Sequence, residues 1–321
     1  MPINFRKAGA PAAAQLDLLE QPTLPPQKLR QADTVPDQFK AAKQVTGIEW
    51  TQMTWNPMVG CSIHTAGCTN CYAMAQAAKI TAKHYDGVVK WVGKGDNTKT
   101  VWTGKLNMAP PHILNKPRGL RTPTMIFVNS MSDFFHQDMP FEFQLAAMRV
   151  MEDTPQHVYQ ILTKRAEEIE KFVGEMRRLS GDDWSFPDHV WVGCTMERED
   201  YRFRIDHLRV IPAAVKFLSI EPLVGPAGDL DLKGIDWVII GGESGPGSRP
   251  MKEEWVLPVV RDCVNQNVPV FFKQWGIKQN NPIWIEGGDA ALRAQDPVGK
   301  GGSLVRGHHY KAFPHKYTQG A

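Results

Sequence analysis

From about residue 46 onward the chain falls into a rhythm of short apolar runs, each closing on polar or glycine residues. The runs are Thr124–Asn129, His157–Thr163, His189–Thr195, Val215–Ile220, Asp236–Gly241 and Pro269–Phe272. They do not alternate with polar residues, which predicts strands covered on both faces, as in a parallel sheet. Helical patterns lie between several of them, at Phe141–Glu152, Ala166–Leu179, Glu197–Val210 and Glu253–Asn265. Alternating strands and helices predict an α/β fold, and the number of units predicts a full or partial (β/α) TIM-type barrel. A doubly wound open sheet is the alternative. In either fold the functional loops follow the C-terminal ends of the strands.

Those strand ends carry polar chemistry. They read Asn129-Ser130-Met131-Ser132-Asp133, Thr163-Lys164-Arg165, Thr195-Met196-Glu197, Glu221-Pro222, Gly241-Gly242-Glu243-Ser244 and Lys273-Gln274-Trp275. One such end is a turn or a helix cap. Six in register predict a shared polar site at one barrel mouth. Gly241 and Gly242 offer close backbone approach to a nucleotide.

A loop before the first of these runs concentrates three of the five cysteines as Cys61, Cys68 and Cys71, spaced C-x6-C-x2-C. A helix is predicted over Tyr72–Lys83 directly after it. Clustered cysteines in a reducing compartment point to a metal. Three thiolates can hold a [4Fe–4S] cluster with one iron left open to S-adenosylmethionine (SAM). Alternatively, His64 completes a Cys3His zinc site. Cys194 and Cys263 fall in strand and helix patterns and read as core.

Length and composition refine the domain picture. The 321 residues are 42% hydrophobic and 22% charged, ordinary for a globular chain. Residues 1–45, rich in Ala, Pro and Gln, read as a mobile arm, 46–276 as the barrel and 277–321 as a C-terminal extension. No run is long enough to span a membrane and no secretory signal is evident, so a cytoplasmic setting without membrane contact is expected. The net charge is only +3, but residues 83–121 hold eight basic residues against Asp86 and Asp96, interleaved with Tyr85, Trp91 and Trp102. Such a basic insertion suits phosphate contacts and base stacking. The segment from Lys300 onward is also basic.

The ordered segments IEWTQMTWNPMVGCSIHTAGCTNCYA, IFVNSMSDFFHQDMP, YQILTKRAE, VWVGCTMERED, VKFLSIEPLVGP, DWVIIGGESGPGSRPM and VFFKQWG resemble the phage-associated three-Cys-motif family of radical-SAM-like proteins. The resemblance implies a TIM-type barrel and a [4Fe–4S] cluster on Cys61, Cys68 and Cys71, with SAM as cofactor. On that reading Tyr72, Asn129, Ser130, Ser132, Thr163, Glu221, Gly241, Gly242, Glu243 and Ser244 bind cofactor or substrate. Asp133, Lys164, Glu221 and Lys273 are the candidates for catalysis. The expected chemistry is a 5′-deoxyadenosyl radical acting on a nucleobase or a modified base in DNA, for example an isomerisation of a hypermodified thymine side chain. It implies a phage-encoded protein in a bacterial host cell, an electron donor such as flavodoxin or ferredoxin, and room for a partner protein. A radical-SAM enzyme on a peptide or small metabolite, and a zinc-stabilised nucleic-acid binder, are the competing expectations.

Overall fold

The computed structural model describes residues 35–318, except 96, 97, 246, 286, 297 and 298. Most of the expected N-terminal arm lies outside the described residues. Its last part is packed: Phe39 is buried, and its carbonyl accepts from the Gln52 side chain.

Strand β1 (Met53–Trp55) is followed by the short β2 (Met58–Val59), the cysteine loop and helix α1 (Tyr72–Ala77). A two-stranded ribbon, β3 (Val89–Val92) and β4 (Lys99–Trp102), leads to β5 (Asn107–Met108), which pairs with β2. After the short α2 (Pro111–Leu114) come β6 (Met125–Val128), α3 (Phe141–Glu152), β7 (Val158–Thr163), α4 (Ala166–Ser180) and β8 (Val190–Thr195). Helix α5 (Arg204–Arg209), β9 (Lys216–Ile220), β10 (Trp237–Gly241), α6 (Glu253–Asn265) and β11 (Val270–Gln274) complete the alternation.

The seven strands β1, β6, β7, β8, β9, β10 and β11 form one parallel sheet in chain order. A doubly wound sheet reverses its order at a switch point. This one does not, and its architecture is a partial β/α barrel. Strand positions alternate between two cores. Ile126, Val128, Tyr159, Ile161, Val192, Leu218, Val238 and Phe272 belong to the larger cluster, which also holds the helix residues Ala147, Phe172, Leu208 and Val259. Phe127, Trp191, Phe217, Trp237, Ile239 and Phe271 form a second cluster with Trp50 and Phe313. This aromatic plug closes the concave side. Gly193 makes room in it, because a Cβ there would lie 2.6 Å from the Phe217 ring.

The open seam between β11 and β1 is covered by the C-terminal extension. Phe272 N donates to Tyr310 O, and Ala312 N donates to Val270 O, along the free edge of β11. Lys311 then reaches Glu49, just before β1, at 2.7 Å. The extension is therefore part of the barrel's packing, and unpaired strand edge is hidden by it.

Two helices are shorter than the pattern predicts. Helix α1 stops at Ala77, since Ile80 finds no core to cover it and the chain turns to bury Tyr85. The segment predicted as Glu197–Val210 is a 3-10 turn at Glu199–Tyr201 followed by α5, because Glu197 is drawn into a buried ion cluster. Among the described residues no helix is long and apolar enough to cross a membrane.

Candidate functional site

A cavity of about 590 Å³ opens at the C-terminal ends of the sheet strands. Cys61, Cys68 and Cys71 line it together with Tyr72, Asn129, Ser130, Ser132, Asp133, Thr163, Lys164, Glu221, Gly242, Glu243, Ser244 and Lys273. Of the residues expected to hold the cluster, bind cofactor or act in catalysis on the radical-SAM reading, Gly241 alone lies off the wall, where it abuts the Glu221 carboxylate. His64 is exposed and also lies off the wall. Among the described residues, no three His, Cys, Asp or Glu side chains converge to hold a single metal ion. The thiols of a polynuclear cluster need no such convergence, because each takes a different iron.

The cysteine loop is held from several strands. Gly60 bridges to Ser132 in the loop after β6, and Ser132 Oγ donates to Met58 O at 2.9 Å. Asn56 Oδ1 accepts from Ser130 Oγ and from Met131 N. Thr65 Oγ1 donates to Glu197 Oε1 at 2.5 Å. Glu197 is fully buried and bound by two cations, Lys164 at 2.9 Å and Arg204 at 3.1 Å. Burial by itself would raise its pKa, but Lys164, Thr65 and Arg204 together hold the carboxyl below the usual range. Gly67 packs directly on it, and a Cβ there would lie 2.3 Å from Glu197 Oε1.

A second anchor comes from the loop after β10. Glu243 accepts from Arg249 Nη2 at 2.6 Å and from Asn70 Nδ2 at 3.0 Å, while Arg249 Nη1 donates to Ala66 O at 2.7 Å. Glu243 thus ties the stretch between Cys68 and Cys71 to the sheet. Gly242 is glycine because of the chain's own packing, since a Cβ there would meet the Trp275 carbonyl at 2.2 Å. The expectation that Gly242 serves nucleotide approach therefore has a competing structural cause.

Asp133 sits behind Cys61. Its carboxylate accepts from Arg165 Nη1 at 2.8 Å, Thr163 Oγ1 at 2.6 Å and Phe135 N at 3.0 Å. Both carboxylate oxygens are thus engaged by the chain's own donors, with Lys164 N a further donor to Oδ2 at 3.4 Å. Arg165 also donates to Ser62 Oγ at 2.9 Å, and Ser62 lies 2.8 Å from His136 Nε2. Burial, and after it the Asp133 charge, push the Cys61 thiol up to about 12. Burial also raises Cys71, against the pull of the Ala73 and Met74 amides. Such thiols stay protonated unless a bound cation displaces the proton.

On the opposite wall Lys273 Nζ donates to Glu221 Oε1 at 2.6 Å. Lys300, from the C-terminal extension, also lines the cavity; burial and then Lys273 hold its amine below the usual lysine range. Asn129 stands apart from these pairs. It follows β6 in the left-handed region (φ 62) and is 2% exposed, and among the described residues neither its side-chain Nδ2 nor its Oδ1 has a partner. A buried carboxamide with donor and acceptor both unmet calls for a partner, a bound ligand or an ordered water.

Sequence reasoning did not nominate Glu197, Arg165, Arg249, Asn70 or Lys300. Glu197 and Arg165 do stand within the strand-end strings. Arg249 and Asn70 meet Glu243 only through the fold.

The family described as a protein of unknown function, DUF5131, matches residues 45–314. That span includes the cysteine loop, all seven strands of the sheet and most of the C-terminal extension. No curated protein and no solved structure matches the chain.

Proposed function

The chain belongs to the DUF5131 family, and we propose that it is a radical-SAM enzyme whose [4Fe–4S] cluster is held by Cys61, Cys68 and Cys71. The observation that carries this reading is the convergence of three thiols from one loop with the polar strand ends in one cavity. Three cysteines leave a cubane one iron short of a protein ligand, the position that SAM would take. When bound, the cluster and SAM supply a 5′-deoxyadenosyl radical, given an electron from a donor such as flavodoxin or ferredoxin.

The chain's own residues have separable tasks on this reading. Glu197 and Glu243 hold the cysteine loop in place from β8 and β10. Asp133 and Arg165 set the surroundings of Cys61. Asn129 offers a paired donor and acceptor to cofactor or substrate. The Lys273–Glu221 pair can hold a substrate polar group and move a proton at Nζ or Oε1. The substrate class we favour is a nucleobase or modified base in DNA, supported by the lysine-rich ribbon beside the mouth. Isomerisation of a hypermodified thymine side chain fits that class and the resemblance to phage-associated proteins. A duplex base would have to leave the stack to enter the cavity.

The test is anaerobic incubation with SAM and dithionite, with 5′-deoxyadenosine quantified as the readout. SAM-dependent product in wild type and none in a cluster-free variant supports the reading. Absence of 5′-deoxyadenosine from iron-replete protein contradicts it. Asn129→Gly gives a finer check. Glycine accepts the left-handed backbone, and removing an unsatisfied amide is expected to leave thermal stability unchanged or slightly higher. SAM affinity, measured by calorimetry on the same protein, is expected to fall about tenfold or more. Unchanged affinity would remove Asn129 from the cofactor site.

A further inference from the structure

We propose that the β3–β4 ribbon is a nucleic-acid contact surface, on which Trp91 stacks with an unpaired base beside the cavity mouth. The inference rests on the nucleobase reading above and locates the element that would receive the strand.

The basic insertion does not act as one patch. Lys116, Arg118 and Arg121 lie just before β6, at the far end of the sheet, where Pro117 O is 3.3 Å from His157 Nε2. Arg118 is there paired with Asp153. The ribbon is at the other end. Gly104 N donates to Cys61 O, and Trp102 lines the cavity wall. The chain thus separates the basic residues into a group at the mouth and a group remote from it.

At the mouth, cross-strand register decides what points where. Val89 pairs with Trp102 and Trp91 with Thr100, so Trp91 lies on the same face of the ribbon as Trp102. Thr100 and Trp102 on that face are buried, yet Trp91 is 67% exposed, the most exposed aromatic side chain among the described residues. Two thirds of the indole surface is therefore open to a stacking partner. Lys90 and Lys99 stand on the other face of the same ribbon, and Lys94 follows β3. All three are exposed, and among the described residues none has an ion-pair partner. Among the described residues the ribbon is two-stranded and pairs with no other sheet. The ribbon thus carries an exposed ring on one face and exposed lysines on the other and at its turn, the two kinds of group that engage the base faces and phosphates of a nucleic-acid strand.

The experiment is fluorescence anisotropy of a labelled single-stranded oligodeoxynucleotide with the full chain, purified anaerobically, at about 50 and about 200 mM salt. Three lysine–phosphate contacts at roughly 0.7 released counterion each predict about a twentyfold loss of affinity over that range. Lys90→Glu with Lys99→Glu is expected to flatten that dependence. Trp91→Ala is expected to weaken binding about tenfold or more, and Trp91→Phe to restore part of it. Inorganic polyphosphate, which has no bases, is the control: its affinity should not change in Trp91→Ala. Trp91 is exposed, so thermal melting should show the variants folded. Equal oligonucleotide binding by wild type and Trp91→Ala, or no saturable binding by wild type, overturns the proposal. Iron content and 5′-deoxyadenosine formation are measured separately, so failure of the ribbon and failure of the radical-SAM reading give different results.

Discussion

Replacing Glu197 by alanine is expected to lower folding stability by roughly 3–5 kcal/mol, the largest effect of any single polar substitution in this protein. The side chain is fully buried and bridges Lys164 and Arg204, with Thr65 as a third donor. Its removal strands two cations, one of them, Arg204, almost completely buried. For a chain of this size the loss corresponds to a fall in melting temperature of roughly 5–15 °C. Glu197→Gln keeps the volume and the Thr65 bond, so its loss should be smaller. The effect has a pH signature. The folded pKa lies below the unfolded value of 4.5, so the stabilisation is present above that pH and fades as pH falls below it. The stability of wild type towards denaturant should fall as pH drops below 4.5, and Glu197→Ala should lack that component. Equal stability of the two proteins at neutral pH would contradict the buried ion cluster.

The second large effect is on metal content. Cys61→Ala, Cys68→Ala and Cys71→Ala are each expected to lose most of the iron, and the triple variant all of it, from about four irons per chain. 5′-Deoxyadenosine formation should fall to background in all of them. Cys194→Ala and Cys263→Ala are the controls. Cys194 lies in the barrel's outer core, 3.6 Å from Arg204 O, and Cys263 is buried on α6. Neither lines the cavity, and both variants should keep their iron. Colorimetric iron and sulfide assays on parallel anaerobic preparations decide it. Retention of iron by the triple variant would place the cluster elsewhere.

The sheet was legible in the sequence because its strands are covered twice. The aromatic plug on one side and the helices on the other bury both faces, so runs such as Trp237–Gly241 and Val190–Thr195 are mostly apolar. The mouth was legible for a related reason: parallel strands all end at one edge, so polar strand ends in register must meet. Helices α3 and α6 match their patterns because each has a continuous apolar face on the core. Helix α5 does not, because the buried charge on Glu197 outweighs helix propensity at its start. The supports of the cysteine loop were less visible. Arg249 with Ala66, and Asn70 with Glu243, join residues more than 170 positions apart and leave no local spacing to read. The seam over β11 was hidden for the same reason, since Lys311 and Phe313 sit in a segment with no periodicity. The basic insertion looked like one feature along the chain, but β5 and α2 carry it from one end of the barrel to the other.

The account turns on whether the cavity holds an iron–sulfur cluster with an iron open to SAM. The most direct measurement is an EPR spectrum of the anaerobically purified, reduced protein with and without SAM, alongside iron, sulfide and zinc assays on the same sample. The prediction is about four irons per chain and a cluster signal that changes on adding SAM, lost when Cys61, Cys68 and Cys71 are replaced. One zinc and no iron after anaerobic reconstitution, or a cluster signal indifferent to SAM, would contradict it.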